Sequence, residues 1–108
     1  MIYELRVYHC TPGKLPALSK RFETITTRLF EKHGFKQIGY WTVGIGQSSA
    51  DFVYMLQWDS HAHRERSFAA FQSDPECIEA RTKSEAAGPL VASITNTILL
   101  PTSFSALK

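Results

Sequence analysis

Glu4, Arg6 and Tyr8 alternate along the first strand-like stretch of this 108-residue chain, so their side chains share one face of a strand. A carboxylate, a guanidinium and a phenol side by side can orient a polar ligand and stabilise charge on it, and charges so placed need partners or such a ligand. The plainer alternative is a structural Glu4–Arg6 ion pair that holds register, because buried charges are usually paired whether or not they are functional. Trp41, Gln57 and Asn96, on the other strand-like segments, are expected to join the same lining, with ordinary sheet packing as their alternative. Arg64 and Arg66, near the start of a helical stretch, are secondary candidates: a guanidinium there can clamp a carboxylate or phosphate, or pair on the surface with Glu65 or Glu76.

Other chemistries find less support. His61 and His63 are two apart on a helix and so face apart, while His9 and Cys10 are neighbours on a strand and point to opposite faces, so no metal site is expected. Gly44-Ile45-Gly46 precedes a strand, not a helix, and lacks the amide-rich terminus a phosphate loop needs. No nucleophile-elbow, zinc-protease or Cys/His pattern appears, so a preformed triad is not expected. A net charge of +2 with mixed signs on the helices gives no expectation of a nucleic-acid partner. Cys10 and Cys77 lie in different elements without CxxC spacing, as reduced cytoplasmic thiols would. The first strand begins directly after Met1, so no leader is expected.

The elements that position these residues follow from periodicity. Strands are expected at Ile2–His9, Phe35–Val43, Asp51–Trp58 and Ala92–Leu100. Between the first two, Leu15, Leu18, Phe22, Ile25 and Leu29 draw one stripe down a helix of about five turns, capped by Thr11, opened by Pro12 and ended by Gly34. Ser60 caps a second helix carrying Phe68 and Phe71, and Asp74-Pro75 starts a further helical segment to about Ala87, stopped by Gly88 and Pro89. With 44% hydrophobic and 20% charged residues, the chain reads as one domain over residues 1–108, a tail at 101–108 included, and no apolar run approaches the roughly 20 residues of a membrane span. The order strand, helix, strand, strand, helix, strand predicts an α+β, ferredoxin-like βαββαβ fold with an antiparallel four-stranded sheet and helices on one face. On hydropathy, Tyr3, Leu5 and Val7 form the helix-covered face of the first strand, leaving Glu4, Arg6 and Tyr8 on the other. Helix-free, that other side of the sheet is expected to expose about 440 Å², with Trp41, Val53 and Met55 on it, and a second copy of the chain is its simplest cover.

YELRVY at Tyr3–Tyr8, PGKL at Pro12–Leu15, GYWTVGIG at Gly39–Gly46, HRERS at His63–Ser67, SDPE at Ser73–Glu76 and LLPTSF at Leu99–Phe104, in this order, resemble the NIPSNAP family of the dimeric α/β barrel superfamily. The resemblance spans essentially the whole chain. It departs at Cys77, where the family tends to carry Trp, at Gly44, where it tends to carry an acidic residue, and in the Gln47–Asp51 loop, which lacks the Pro and Asn of many members. The likeness implies a homodimer whose two sheets enclose a barrel, with Glu4, Arg6 and Tyr8 pointing inward. It also implies a small organic ligand, aromatic or polyketide-like, oxidised or isomerised without a cofactor. Some relatives in the superfamily hold haem through one His, but isolated histidines are weak support and no cofactor is expected here. The alternative is a non-catalytic assembly or adaptor module, motivated by the missing acid, base and nucleophile set.

Overall fold

Phe52, Tyr54, Leu56 and Trp58 alternate along one strand, and all four are buried. That row organises the molecule, which a computed structural model describes over all its residues, Met1–Lys108. The elements are β1 (Ile2–Cys10), α1 (Leu15–Arg21), a π-turn (Phe22–Thr26), α2 (Thr27–Lys32), β2 (Lys36–Thr42), β3 (Asp51–Trp58), α3 (His61–Ser73), α4 (Pro75–Ser84) and β4 (Val91–Leu99). The sheet runs β2-β3-β1-β4, every neighbouring pair antiparallel, which is the ferredoxin-like α+β arrangement. No helix is long and apolar enough to cross a membrane.

Register reverses the expected facing of β1. Directly opposed residues of an antiparallel pair share a face, and Ile2 opposes Trp58, Glu4 opposes Leu56, Arg6 opposes Tyr54 and Tyr8 opposes Phe52. Glu4, Arg6 and Tyr8 therefore point toward the helices, and Tyr3, Leu5 and Val7 share the open face with Val53, Met55 and Gln57. Hydropathy along β1 alone favours the opposite choice. Two features decide otherwise: the larger aromatic row of β3 claims the helix side, and polar partners gathered there satisfy the charges that β1 brings with it.

Two helix boundaries also differ from expectation. Gly13 sits at φ +80°, outside the right-handed helical region, so Thr11–Lys14 forms a turn, closed by Lys14 N–H donating to the Thr11 carbonyl at 2.9 Å. The helix starts only at Leu15, with Pro16 rather than Pro12 in its first turn. Helix α4 stops at Ser84. Ser60 and Asp74 do cap α3 and α4, accepting from the backbone N–H groups of His63 and Glu76. Strand ends fall within one residue of their expected positions.

Within the first helix, Thr27 N–H donates to the Phe22 carbonyl five residues back, making the π-turn. One more residue is taken into that turn than an α-turn holds, so both Leu29 and Phe30 reach the core. Phe22 lies 4.7 Å from Phe52 and 5.2 Å from Tyr54 between ring centroids, and Phe30 stacks on Phe35 at 4.4 Å. Asp74 ties the helices together: its Oδ2 accepts from Lys32 Nζ at 2.9 Å and lies 2.8 Å from His33 Nε2, clamping the end of α2 to the start of α4.

Candidate functional site

Glu4 is wholly inaccessible to solvent, 0% exposed, and such a carboxylate persists only if its lone pairs are filled. Arg64, in the first turn of α3, reaches it with both arms of its fork, Nε to Oε1 at 2.8 Å and Nη2 to Oε2 at 2.9 Å. The Ser60 cap sets where that turn begins, and so where Arg64 projects. Trp58 Nε1 adds a bond to Oε1 at 3.1 Å, Asn96 Nδ2 one to Oε2 at 3.0 Å, and Arg6 Nη1 one to Oε2 at 2.9 Å. Burial pushes the Glu4 carboxyl up, but hydrogen bonds from Arg64 and Asn96 and the charge of Arg6 outweigh it and hold the group at about 2. At neutral pH Glu4 is thus a charged anchor rather than a proton donor or acceptor.

Arg6 is the hinge between this anchor and open space. Its Nε donates to Tyr54 Oη at 2.8 Å and its Nη1 to Glu4, while Nη2 has no protein acceptor. Tyr54 passes the chain on, donating to Tyr8 Oη at 3.1 Å, which leaves the Tyr8 proton without a protein acceptor. Burial presses the Arg6 pKa down, yet the Tyr54 and Tyr8 phenols and the Glu4 charge more than reverse this, so Arg6 stays cationic. Burial raises the Tyr54 phenol well above its usual range, so Tyr54 remains a neutral donor. The guanidinium of Arg6 rests on Phe68, 4.9 Å from the ring centroid, and that of Arg64 lies 5.1 Å from the same ring.

Arg6 and Tyr8 both line a cavity of about 210 Å³ between the sheet and the helices. Phe22, Leu29, Phe30, Phe68 and Phe71 make much of its wall, and Ile25 and Thr26 bring the π-turn to it. π-turns frequently mark functional sites. Cys77 of α4 faces the same space; burial pushes its thiol up, so it adds a soft apolar wall rather than a nucleophile. At the rim Arg21 donates to Ser84 Oγ at 3.0 Å and lies 3.8 Å from Glu85.

Of the residues singled out by sequence, Glu4, Arg6, Tyr8, Asn96 and Arg64 come together on the helix side. Arg64 is no surface partner of Glu65 or Glu76; Glu76 instead takes Arg28 and Lys32. Arg66 is exposed on α3 and outside the network. Trp41 and Gln57 lie on the opposite face of the sheet, Trp41 half exposed and Gln57 donating to Tyr3 Oη at 3.0 Å. Tyr54, Trp58 and the cavity phenylalanines escaped sequence reasoning as site residues, because their even alternation reads simply as core.

The open face holds a second polar group. His9 Nδ1 lies 2.9 Å from Asp51 Oδ1 and its Nε2 2.9 Å from Thr95 Oγ1, linking β3, β1 and β4. This has the connectivity of a hydroxyl–imidazole–carboxylate relay. It sits on the open sheet face, apart from the cavity that Arg6 and Tyr8 line; β1 stays in register with β3 there, while the β1–β4 register shifts between His9 and Cys10. A cross-strand strap accounts for it.

Among curated proteins none matches the chain. Several solved structures do. An uncharacterised NIPSNAP-like domain protein from Burkholderia xenovorans is 29% identical, with a TM-score of 0.85 over 96% of this chain and 87% of that one. A NIPSNAP family protein with unknown function from Agrobacterium tumefaciens is 26% identical, with a TM-score of 0.87 over 100% of this chain and 94% of that one. At the level of fold alone, a candidate antibiotic biosynthesis monooxygenase from Nitrosomonas europaea is 10% identical, with a TM-score of 0.63 over 94% of this chain and 98% of that one. The NIPSNAP family model matches residues 3–106, nearly the entire length, and the chain belongs to the NIPSNAP family.

Proposed function

We propose that this NIPSNAP protein binds a small organic molecule in the cavity between its sheet and its helices, and that any conversion there is a cofactor-independent oxidation or isomerisation. One observation carries the reading: an apolar, largely aromatic wall meets two unspent donors, Arg6 Nη2 and Tyr8 Oη, on the cavity floor. Few polar groups placed in an apolar hollow are the usual recipe for a ligand site. With both Glu4 oxygens occupied, the floor offers no carboxylate base. A substrate that is itself acidic, such as an enol or phenol, suits it, since Arg6 and Tyr8 stabilise the anion such a molecule forms. The fold-level likeness to a candidate monooxygenase agrees, as analogy only. A volume of about 210 Å³ falls below the roughly 300–1,000 Å³ of drug-sized sites, so a multi-ring polyketide does not fit.

Assembly is part of the proposal. Leu5, Val7, Val53, Met55 and Trp41 lie on a face that no helix of the chain covers, and a second copy is the proposed cover, as a homodimer. Its sedimentation mass is expected at twice 12.2 kDa. The free, buried Cys10 and Cys77 fit a reducing cytoplasm.

Native mass spectrometry of protein purified from its own host tests the ligand reading. The expected spectrum shows a small-molecule adduct on the wild type that is lost in Cys77→Trp, whose indole fills the cavity wall. A ligand-free wild type, or an adduct indifferent to that substitution, overturns it. A distinct observation favours the adaptor alternative: Leu100 and Phe104 of the tail stand 71% and 86% exposed. Under that alternative Phe104→Ser abolishes capture of a protein partner, and no adduct is found.

A further inference from the structure

The buried cluster beneath the cavity does not balance. Two guanidinium groups, Arg6 and Arg64, share one carboxylate, Glu4, so a single positive charge is left over. Arg64 spends its bidentate fork on Glu4, which places the surplus on Arg6. Every buried side-chain nitrogen and oxygen has a partner. Arg6 Nη2, having none, must therefore retain access, and the space that Arg6 borders is the cavity. Tyr8 ends a chain in which a cation polarises Tyr54 and Tyr54 polarises Tyr8, which strengthens the last hydroxyl as a donor. The remaining charged groups of the lining are Arg21, Arg81 and Glu85, and the one carboxylate among them already lies against Arg21 at the rim. Beyond the Glu4 that it shares with Arg64, Arg6 meets no negative charge in the cavity lining.

We infer that the ligand is a one-ring monoanion, its charged oxygen held by Arg6 Nη2 and Tyr8 Oη and its ring enclosed by Phe22, Phe30, Phe68 and Phe71. The inference deepens the proposed function and rests on the cavity being a ligand site. Size sets the single ring: about 210 Å³ is the share of roughly seven waters at about 30 Å³ each, enough for a ring and a short acidic group. A small inorganic anion would leave the aromatic wall unused, and the one charge left over in the buried cluster matches one negative charge on the ligand.

Isothermal titration with matched pairs tests this directly: benzoate, phenylacetate and 2-hydroxybenzoate against their neutral amides, with acetate as the ringless anion. At least one acid is expected to bind, at least about tenfold more tightly than its amide, as a lost charge-assisted hydrogen bond implies. Acetate is expected to show no binding. Arg6 itself is a poor target because it also holds Glu4. Tyr8→Phe keeps the ring's shape, and it should weaken the acid about fivefold or more while leaving the amide unchanged. Cys77→Trp should abolish binding of both. Amides that bind as well as acids overturn the anion assignment and leave the cavity standing as a neutral-ligand site. Acid binding that survives Cys77→Trp places the anion elsewhere and overturns the inference. Absence of binding by every ring compound overturns the inference and, where the native spectrum also shows no adduct, the proposed function with it.

Discussion

Replacing Glu4 with glutamine keeps the side chain's shape and removes its charge, and the structure says how the cost must vary with pH. From an ordinary value of 4.5 the carboxyl is held down at about 2, and at about 1.4 kcal/mol per pH unit this amounts to about 3 kcal/mol of folding stability. The folded pKa lies below the unfolded one, so the contribution is complete above pH 4.5 and is lost as the pH falls toward 2. Glutamine imitates the protonated acid, hence wild type and Glu4→Gln should differ by about 3 kcal/mol at pH 7 and by only about 1 kcal/mol at pH 3. Urea unfolding of both proteins through that range measures the difference, in which the acid titration of every other group cancels. A total stability of about 5–15 kcal/mol, usual for a domain, leaves the variant folded at neutral pH. A difference that stays flat from pH 7 to pH 3 would refute the claim that Glu4 is a charged anchor, whatever its size.

Other expectations are simpler. Met55→Glu puts an unpaired carboxylate on the open face; if a second copy covers that face, burying it costs several kcal/mol, and analytical ultracentrifugation should find monomers near 12.2 kDa. A wild-type mass in the variant would show that another surface makes the contact. Ser60→Ala removes the cap of α3 and should lower stability by about 1 kcal/mol in thermal or urea melts. Since Arg64 sits in the turn that Ser60 begins, the variant should also loosen the Trp58 environment, seen as a shift in near-ultraviolet circular dichroism.

Much of the fold was legible because periodicity reports it directly. The alternation of Phe52, Tyr54, Leu56 and Trp58 fixes the ends of β3, and Ser60 and Asp74 announce two helix starts. Less of the site was legible. Alternation shows that Glu4, Arg6 and Tyr8 share a face, but not which face, because a strand with Tyr3, Leu5 and Val7 on one side can satisfy either choice locally. Pairing with β3 decides it, and register is a long-range property. The same parity sends Gln57 to the open face, since its neighbour Trp58 is in the core. A cavity is harder still to foresee. It depends on the π-turn at Phe22–Thr26, whose fifth-residue hydrogen bond leaves no mark in the spacing of Leu18, Phe22, Ile25 and Leu29.

The reversed facing of β1 gives the open face more apolar surface than Trp41, Val53 and Met55 alone would, and one residue tests whether that face must lie flat. Trp41 opposes Val53 and lies along β2 over Gly39, where an added Cβ would stand 2.8 Å from the ring's Cη2 and 2.9 Å from Cζ2. Atoms do not approach so closely, and in Gly39→Ala the indole has to lift off the sheet. Gly39 needs no left-handed backbone, and Trp41 is 49% exposed, so the displacement should change the stability of a single subunit by less than about 1 kcal/mol. A raised indole on a surface that must meet its own copy is a different matter. Bulk added to a well-packed contact costs about 1–3 kcal/mol, and twofold symmetry applies it twice, so the dissociation constant should rise by at least tenfold. Dilution followed by sedimentation, with tryptophan emission recorded on the same samples, measures both effects. Unaltered association alongside red-shifted emission would mean that Trp41 moves freely outside any contact, and that the sheet is covered, if at all, without it.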